Sequence, residues 1–320
     1  MAAVSIRVRM RKRVGLVLID NLFKGAASVS RLVPMVKPSR HNVEVIKDIL
    51  YRDTGMVDHR LDVYRPTTGH GPWPVVLYVH GGGFRILSKD THWIMGLMFA
   101  RRGYLVFNIN YRLAPKYPYP AALEDACAAY TWVQQNAAEY GGDASRLLLA
   151  GESAGANLIT SITLASCYRR PESFAAPIFE AGRVPDVVLP ACGMYQVTNV
   201  ERFAAGNKVP AWIMDRLIEI SESYIPTGST DTALADPLLV LENGAQPDRP
   251  LPPFFLTVGT GDPIEDDTRR LERALGKLGV DVEARYYPGQ GHAFHALVFR
   301  KAARTCWQDT FEFLNARQPY

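Results

Sequence analysis

The chain is poor in cysteine and lacks a long apolar run, and each shortage excludes certain classes of protein. Four cysteines occur among 320 residues, none in a Cys-x-x-Cys pair, so neither a disulfide framework nor a cysteine-rich metal site is expected. They are Cys127, Cys167, Cys192 and Cys306. No segment approaches the roughly 18 consecutive apolar residues of a membrane span. We therefore expect a cytoplasmic protein with reduced, mostly buried thiols, and no metal or organic cofactor is implied.

Basic residues are concentrated at the start of the sequence. Residues 1–40 hold nine Lys and Arg and one acidic residue, whereas the whole chain has a net charge of +4. No aromatic stacking platform or recognition motif accompanies this stretch, so nucleic-acid binding is not predicted. Residues 14–19 form an apolar run of only about six residues, shorter than the roughly 7–15 of a signal peptide. An amphipathic helix over residues 14–33 is expected, which leaves peripheral membrane contact open but predicts no stable insertion.

Strand-like and helix-like segments alternate from about residue 74 onward, which predicts an α/β fold with a mostly parallel sheet. Short, continuous apolar runs such as residues 147–149 are typical of strands buried on both faces. The first two strands are more polar and alternate, which suits antiparallel edge strands. The eight predicted strands lie near 43–50, 59–65, 74–80, 104–109, 146–151, 187–192, 254–259 and 282–287. The predicted helices lie near 90–101, 120–139, 154–168, 264–279 and 296–316.

The most informative motif is Gly-Glu-Ser-Ala-Gly at residues 151–155. It stands between a predicted strand and a predicted helix, which is the setting of a nucleophile elbow, a sharp turn that exposes a serine hydroxyl. Taken alone, the motif would fit a Gly/Ser turn that caps the next helix equally well. His-Gly-Gly-Gly at residues 80–83 follows another predicted strand. Successive glycines let backbone N–H groups approach a ligand, as an oxyanion hole requires, so the pair of motifs favours acyl-transfer chemistry.

These motifs resemble those of the bacterial hormone-sensitive-lipase-like esterases. The resemblance also includes Tyr-Arg-Leu-Ala-Pro at residues 111–115, Gly-Asp-Pro-Ile-Glu-Asp-Asp at 261–267 and His-Ala-Phe at 292–294, and it runs from about residue 43 to the end. Two positions depart from the usual family pattern, Ala293 for glycine and Ile264 for leucine. The resemblance implies an α/β-hydrolase fold with a helical cap, and a serine carboxylesterase activity.

Ser153, Asp262 and His292 are the predicted catalytic triad. In this fold the acid and the base follow the serine along the chain, each on a loop after a strand. Asp266 and His295 are the competitors. Asp266 and its neighbour Asp267 are expected in the first turn of a helix, where carboxylates stabilise the helix dipole, and His295 is expected to start the final helix.

The resemblance also assigns the roles around the serine. Backbone N–H groups of Gly82, Gly83 and Ala154 are expected to bind the oxyanion, and His80 and Glu152 are expected to support the loops. The predicted substrate is a small-molecule ester with a short to medium acyl chain. An amidase or peptidase would use the same triad. A non-catalytic receptor on this fold is disfavoured because such receptors lose the triad histidine.

Residues 194–235 interrupt the alternation of strands and helices, and together with residues 1–40 they are predicted to form the cap. Residues 41–193 and 236–320 would then be the two parts of the catalytic core. Residues expected to line an apolar acyl pocket are Phe84, Met194, Phe203, Trp212 and Met214. Members of the family often pair through a sheet edge, which leaves a homodimer open.

Overall fold

The computed structural model describes residues 37–204 and 209–317, and within them eight strands form one sheet. The strands are β1 (Val43–Leu50), β2 (Arg60–Pro66), β3 (Trp73–Val79), β4 (Leu105–Ile109), β5 (Gly142–Glu152), β6 (Val187–Ala191), β7 (Phe254–Gly259) and β8 (Val282–Tyr287). Their order is β1-β2-β4-β3-β5-β6-β7-β8. β2 is antiparallel to both of its neighbours, and all the other neighbouring pairs are parallel. The predicted fold class is confirmed.

Two strands differ from their predictions. β2 lies inside the sheet, between β1 and β4, and is not an edge strand. β5 begins at Gly142, four residues before its predicted start. Its pairing with β3 skips from Asp143 to Leu147, and the Asp143 carboxylate accepts hydrogen bonds from the N–H and hydroxyl of Ser145. The irregular part of β5 therefore lacks the continuous apolar pattern on which the prediction depended.

Helices cover both faces of the sheet. They are α1 (Trp93–Ala100), α2 (Ala121–Asn136), α3 (Ala154–Cys167), α4 (Ala176–Glu180), α5 (Ala211–Tyr224), α6 (Pro237–Glu242), α7 (Glu265–Lys277) and α8 (Lys301–Arg317). α4 and α6 are too short to produce a periodic pattern and were not predicted. The last helix starts at Lys301 rather than 296, since a separate 3₁₀ turn, Phe294–Ala296, precedes it. In the described residues no helix combines the length and apolar character needed to cross a membrane.

Alternate residues of β3 pack into two separate cores. Val75, Leu77 and Val79 belong to the core that contains α2 and α3, whereas Val76 and Tyr78 belong to the core with α1 and α8. Such alternation is what a strand buried on both faces requires. The four cysteines are buried and free, as predicted.

α3 begins against the end of β3 at a very short distance. A Cβ atom on Gly155 would lie 2.0 Å from the carbonyl oxygen of Val79 and 2.7 Å from that of His80. Backbone atoms cannot move aside as a flexible side chain can. Only glycine therefore allows this helix to start beside the carboxyl end of β3.

Gly155→Ala is expected to lower the free energy of unfolding by about 1–3 kcal/mol or more, because the added methyl group overpacks against backbone. Urea denaturation and thermal melting would measure the loss. Gly276→Ala is the matched control, since a Cβ atom there meets nothing within 4 Å and alanine is favoured over glycine in helices by up to about 1 kcal/mol. Equal melting temperatures for the two variants would contradict the packing argument.

Candidate active site

Ser153 occupies the turn between the last residue of β5 and the first residue of α3. Its backbone has φ 54° and ψ −116°, a region that residues other than glycine rarely adopt. The Ser153 N–H donates to the carbonyl of Ala191 at the end of β6 (2.9 Å). The structure thus places this serine at the carboxyl edge of the sheet in a strained turn, as the elbow motif predicts.

Asp262 and His292 come from the loops after β7 and β8 and meet Ser153 at this edge. His292 Nε2 lies 3.0 Å from Ser153 Oγ, and His292 Nδ1 lies 2.8 Å from Asp262 Oδ2. The Asp262 carboxylate is fully buried, and its second oxygen accepts the N–H of Ile264 (3.0 Å). The histidine side chain is 37% exposed. The arrangement allows His292 to remove a proton from Ser153 while Asp262 orients the ring.

The environment of His292 favours its charged form. Partial burial lowers the pKa of His292, but the charge of Asp262 and the hydrogen bond to it outweigh burial, so the net pKa lies above that of free histidine. The imidazolium that forms when His292 takes a proton is thereby stabilised.

The competing acid and base are separate from this hydrogen-bonded chain. Asp266 is exposed in the first turn of α7, as predicted. Asp267 also lies in the first turn of α7, as predicted, and it is buried and accepts three hydrogen bonds from Arg202 (2.7, 2.8 and 3.3 Å). His295 lies in the 3₁₀ turn before α8 and not at the start of that helix. Burial lowers the pKa of His295 to about 4, and its ring makes edge contacts with Phe294 and Trp307.

The glycine loop after β3 lies directly against the serine. A Cβ atom on Gly81 would be 3.2 Å from the Cβ of Ser153, and Gly82 and Gly83 have positive φ angles of 110° and 59°. Within residues 37–204 and 209–317, the backbone N–H groups of Gly82, Gly83 and Ala154 donate to no protein acceptor. Protein acceptors in these ranges therefore do not compete for the three predicted oxyanion donors, and their role in binding an oxyanion stays a prediction.

Glu152, the residue before the nucleophile, holds the glycine loop in place. Its Oε1 accepts the N–H of Gly81 at 2.6 Å and lies 2.7 Å from His92 Nε2, and its Oε2 accepts the hydroxyl of Tyr78. Burial raises the pKa of Glu152 to about 8 and lowers the pKa of His92 to about 4. Both shifts favour the uncharged forms of the two side chains.

His80 supports the same loop, as predicted. Its Nδ1 lies 2.7 Å from the carbonyl oxygen of Gly81, and its ring stacks on Tyr111 and His92 at 4.3 and 5.4 Å between centroids. Burial lowers the pKa of His80 to about 3. A base of that strength stays neutral in the working pH range and contributes structure rather than proton transfer.

Helix α5 also contacts the glycine loop. A Cβ atom on Gly83 would lie 2.7 Å from Ile220 Cδ1, and the ring of Tyr224 stacks on Phe84 at 3.7 Å. Arg85 and Glu219 form a nearly buried ion pair of 2.9 Å. The sequence analysis assigned residues 194–235 to a cap but missed these contacts, because residues more than a hundred positions apart leave no local signal.

The five residues predicted to line an acyl pocket occupy different environments. Phe84, Met194 and Phe203 are buried in the core on the α3 side, and Met214 is partly buried against it. Trp212 is 64% exposed among the described residues. The predicted N-terminal half of the cap, residues 1–40, lies outside the described residues except for 37–40. The pocket therefore stays a prediction.

Comparisons with known proteins agree on one fold. The family described as alpha/beta hydrolase fold matches residues 76–296. Carboxylesterase NlhH of Mycobacterium tuberculosis is 32% identical over 253 residues, which cover 78% of this chain and 76% of NlhH. Esterase LipW from Mycobacterium marinum has a TM-score of 0.77 at 24% identity, over 95% of this chain and 90% of LipW. A solved esterase of the bacterial hormone-sensitive lipase family has a TM-score of 0.72 at 23% identity, and the match covers 93% of this chain and 90% of that esterase.

Glu152→Ala should reduce kcat for p-nitrophenyl acetate by about 10- to 100-fold, because the backbone N–H groups of Gly82 and Gly83 would shift out of position. The loss should be smaller than that caused by removing an oxyanion donor completely. Glu152→Gln is the matched variant, because an amide mimics a neutral carboxyl group and can still accept the N–H of Gly81. We expect it to stay within about threefold of the parent, with KM unchanged. If Gln and Ala are equally damaging, the carboxyl group is charged and this account of the loop is wrong.

Proposed function

The chain belongs to the α/β-hydrolase fold family and, within it, to the hormone-sensitive-lipase-like esterases; on that premise we propose that it is a serine carboxylesterase for short- to medium-chain acyl esters. Its nucleophile would be Ser153, its base His292 and its acid Asp262. The observation that carries the proposal is a continuous chain of two hydrogen bonds. Ser153 Oγ lies 3.0 Å from His292 Nε2, and His292 Nδ1 lies 2.8 Å from Asp262 Oδ2. This chain of hydrogen bonds ends on a serine that stands beside three unpaired backbone N–H groups.

Acylation begins with attack of Ser153 Oγ on the ester carbonyl carbon. His292 Nε2 accepts the hydroxyl proton as the C–O bond forms, and Asp262 stabilises the resulting imidazolium. The carbonyl oxygen becomes an oxyanion that accepts hydrogen bonds from the N–H groups of Gly82, Gly83 and Ala154, each worth a few kcal/mol. The imidazolium then gives its proton to the leaving alcohol as the tetrahedral intermediate collapses.

Deacylation repeats these steps with water as the nucleophile. His292 takes a proton from water, which attacks the acyl-enzyme carbonyl, and the same N–H groups bind the second oxyanion. The imidazolium finally returns a proton to Ser153 Oγ, releasing the carboxylic acid.

The contact between α5 and the glycine loop supports a preference for shorter acyl chains. Ile220 lies in van der Waals contact with the position of Gly83, so it limits the space above the oxyanion donors. The proposal treats residues 194–235 as part of a cap whose α5 covers the acyl site, and residues 41–193 and 236–320 as the catalytic core.

Replacement of the proposed triad members should separate chemistry from folding. Ser153→Ala should abolish ester hydrolysis with an unchanged circular dichroism spectrum. Asp262→Asn should lower kcat by on the order of 10⁴-fold, because the imidazole is left in the wrong tautomer. Steady-state kinetics on p-nitrophenyl butyrate would measure both.

Asp266→Asn is the control for the acid, since it changes an exposed carboxylate one helical turn from the site and should leave kcat nearly unchanged. His295→Ala serves the same purpose for the base. A Ser153→Ala variant that keeps more than a few per cent of the activity would refute the nucleophile. A larger loss of kcat in Asp266→Asn than in Asp262→Asn would show that Asp266, and not Asp262, is the acid of the triad.

The acyl-chain preference is tested with p-nitrophenyl esters from acetyl to palmitoyl. We expect the highest kcat/KM at short to medium chains, and Ile220→Ala should shift the optimum toward longer chains because it enlarges the space beside Gly83. Ile218→Ala is the matched control: it removes the same atoms from α5, but its side chain borders a separate surface cleft with Val200 and Ile225. An optimum at palmitate in the parent, or the same profile in Ile220→Ala, would contradict the proposed fit.

A further inference from the structure

Cys192 lies directly beneath the proposed triad, and the mechanism does not use it. It follows β6, has a positive φ of 40°, and its side chain is only 2% exposed. Backbone groups of Ser153 and Ala293 lie near its thiol and act on its pKa. The sulfur is therefore close to the backbone of both the nucleophile and the histidine loop.

Donor atoms of three different kinds converge at this point. The thiol of Cys192, a carboxylate oxygen of Asp262 and a ring nitrogen of His292 all lie within 4.8 Å of one another. Zinc takes thiolate, imidazole and carboxylate ligands at about 2.0–2.3 Å in tetrahedral geometry, which places donor pairs roughly 3.3–3.7 Å apart. Shifts of about 1 Å would bring the three donors to that spacing, and the 2.8 Å contact between His292 Nδ1 and Asp262 Oδ2 would open slightly.

The environment also provides access and selectivity. The His292 side chain is 37% exposed, whereas Asp262 is fully buried, so an ion would enter from the substrate side past the imidazole. A sulfur donor beside an imidazole prefers soft or borderline cations such as Zn²⁺ over Mg²⁺ and Ca²⁺. Burial, with the nearby carboxylates of Asp262 and Glu152, raises the pKa of Cys192, so the free thiol stays protonated and is no competing nucleophile.

We propose that Cys192, Asp262 and His292 form an inhibitory site for Zn²⁺, at which the ion replaces the thiol proton of Cys192. Binding releases that proton, the neutral imidazole of His292 keeps its single proton on the ring nitrogen that does not bind the ion, and three protein–metal bonds form. When the ion binds a ring nitrogen of His292 and the carboxylate of Asp262, His292 can no longer act as the base for Ser153.

The test compares Zn²⁺ titrations of p-nitrophenyl butyrate hydrolysis in the parent, Cys192→Ala and Cys167→Ala. Each activity is normalised to that of the same variant without metal, with EDTA added afterwards to establish reversibility. Cys167 is an equally buried free thiol at the far end of α3, roughly 20 Å from Ser153 by helix rise. We expect Zn²⁺ to inhibit the parent and Cys167→Ala reversibly. In Cys192→Ala the inhibition constant should be about tenfold higher or more, because loss of even a residue that only supports a metal ligand weakens metal binding by at least about tenfold. Cys192→Ser, which keeps the volume, replaces the alanine variant if that protein does not fold.

Binding is measured separately from activity, because the inference rests on the proposed function. Cd²⁺ is the spectroscopic probe, and its thiolate charge-transfer band should appear in the parent, in Cys167→Ala and in inactive Ser153→Ala, but not in Cys192→Ala. A protein that shows the band yet never hydrolyses esters would refute the proposed function, not the metal-binding site. An active parent without the band, or equal inhibition of Cys192→Ala and the parent, would overturn the site.

Discussion

The close approach of β5 and α3 to β3 is the constraint on which the rest of this structure depends. Glycine at positions 151 and 155 lets both elements lie against the carbonyl of Val79, where a Cβ atom would be 2.7 or 2.0 Å away. Between these two glycines the chain must reverse sharply, so Ser153 takes a backbone conformation that is unfavourable by itself. Packing energy from the two cores compensates for that strain and holds the hydroxyl at the edge of the sheet.

Each neighbour of the serine is placed by the same turn. Because Glu152 ends β5, its carboxyl group points back to the glycine loop, where it binds the Gly81 N–H. Ala154 begins α3, so its N–H has no helical partner and faces the same space as those of Gly82 and Gly83. Burial keeps the supporting groups neutral, whereas Asp262 stays beside a histidine that can become charged. Low dielectric thus strengthens the one charge pair that the chemistry needs.

The glycine loop links this turn to helix α5. Ile220 contacts Gly83, Tyr224 stacks on Phe84, and Glu219 pairs with Arg85. The helix proposed to cover the acyl chain therefore rests on the loop that supplies the oxyanion donors. Under the proposed function, a displacement of α5 by a long acyl chain would be transmitted to those donors and would couple substrate size to catalytic geometry.

Local pattern alone predicted the eight strands and the sharp turn at Ser153, because buried strands and tight turns need particular residues within a few positions. The same reasoning misplaced the start of β5 and of the last helix, where a bulge and a 3₁₀ turn break the pattern. Only the tertiary structure decided that Asp267 pairs with Arg202, that Glu152 meets His92, and that Cys192 lies under His292. Those contacts join distant residues through the crossing of strands and loops, and such proximity leaves no periodic signal in the chain.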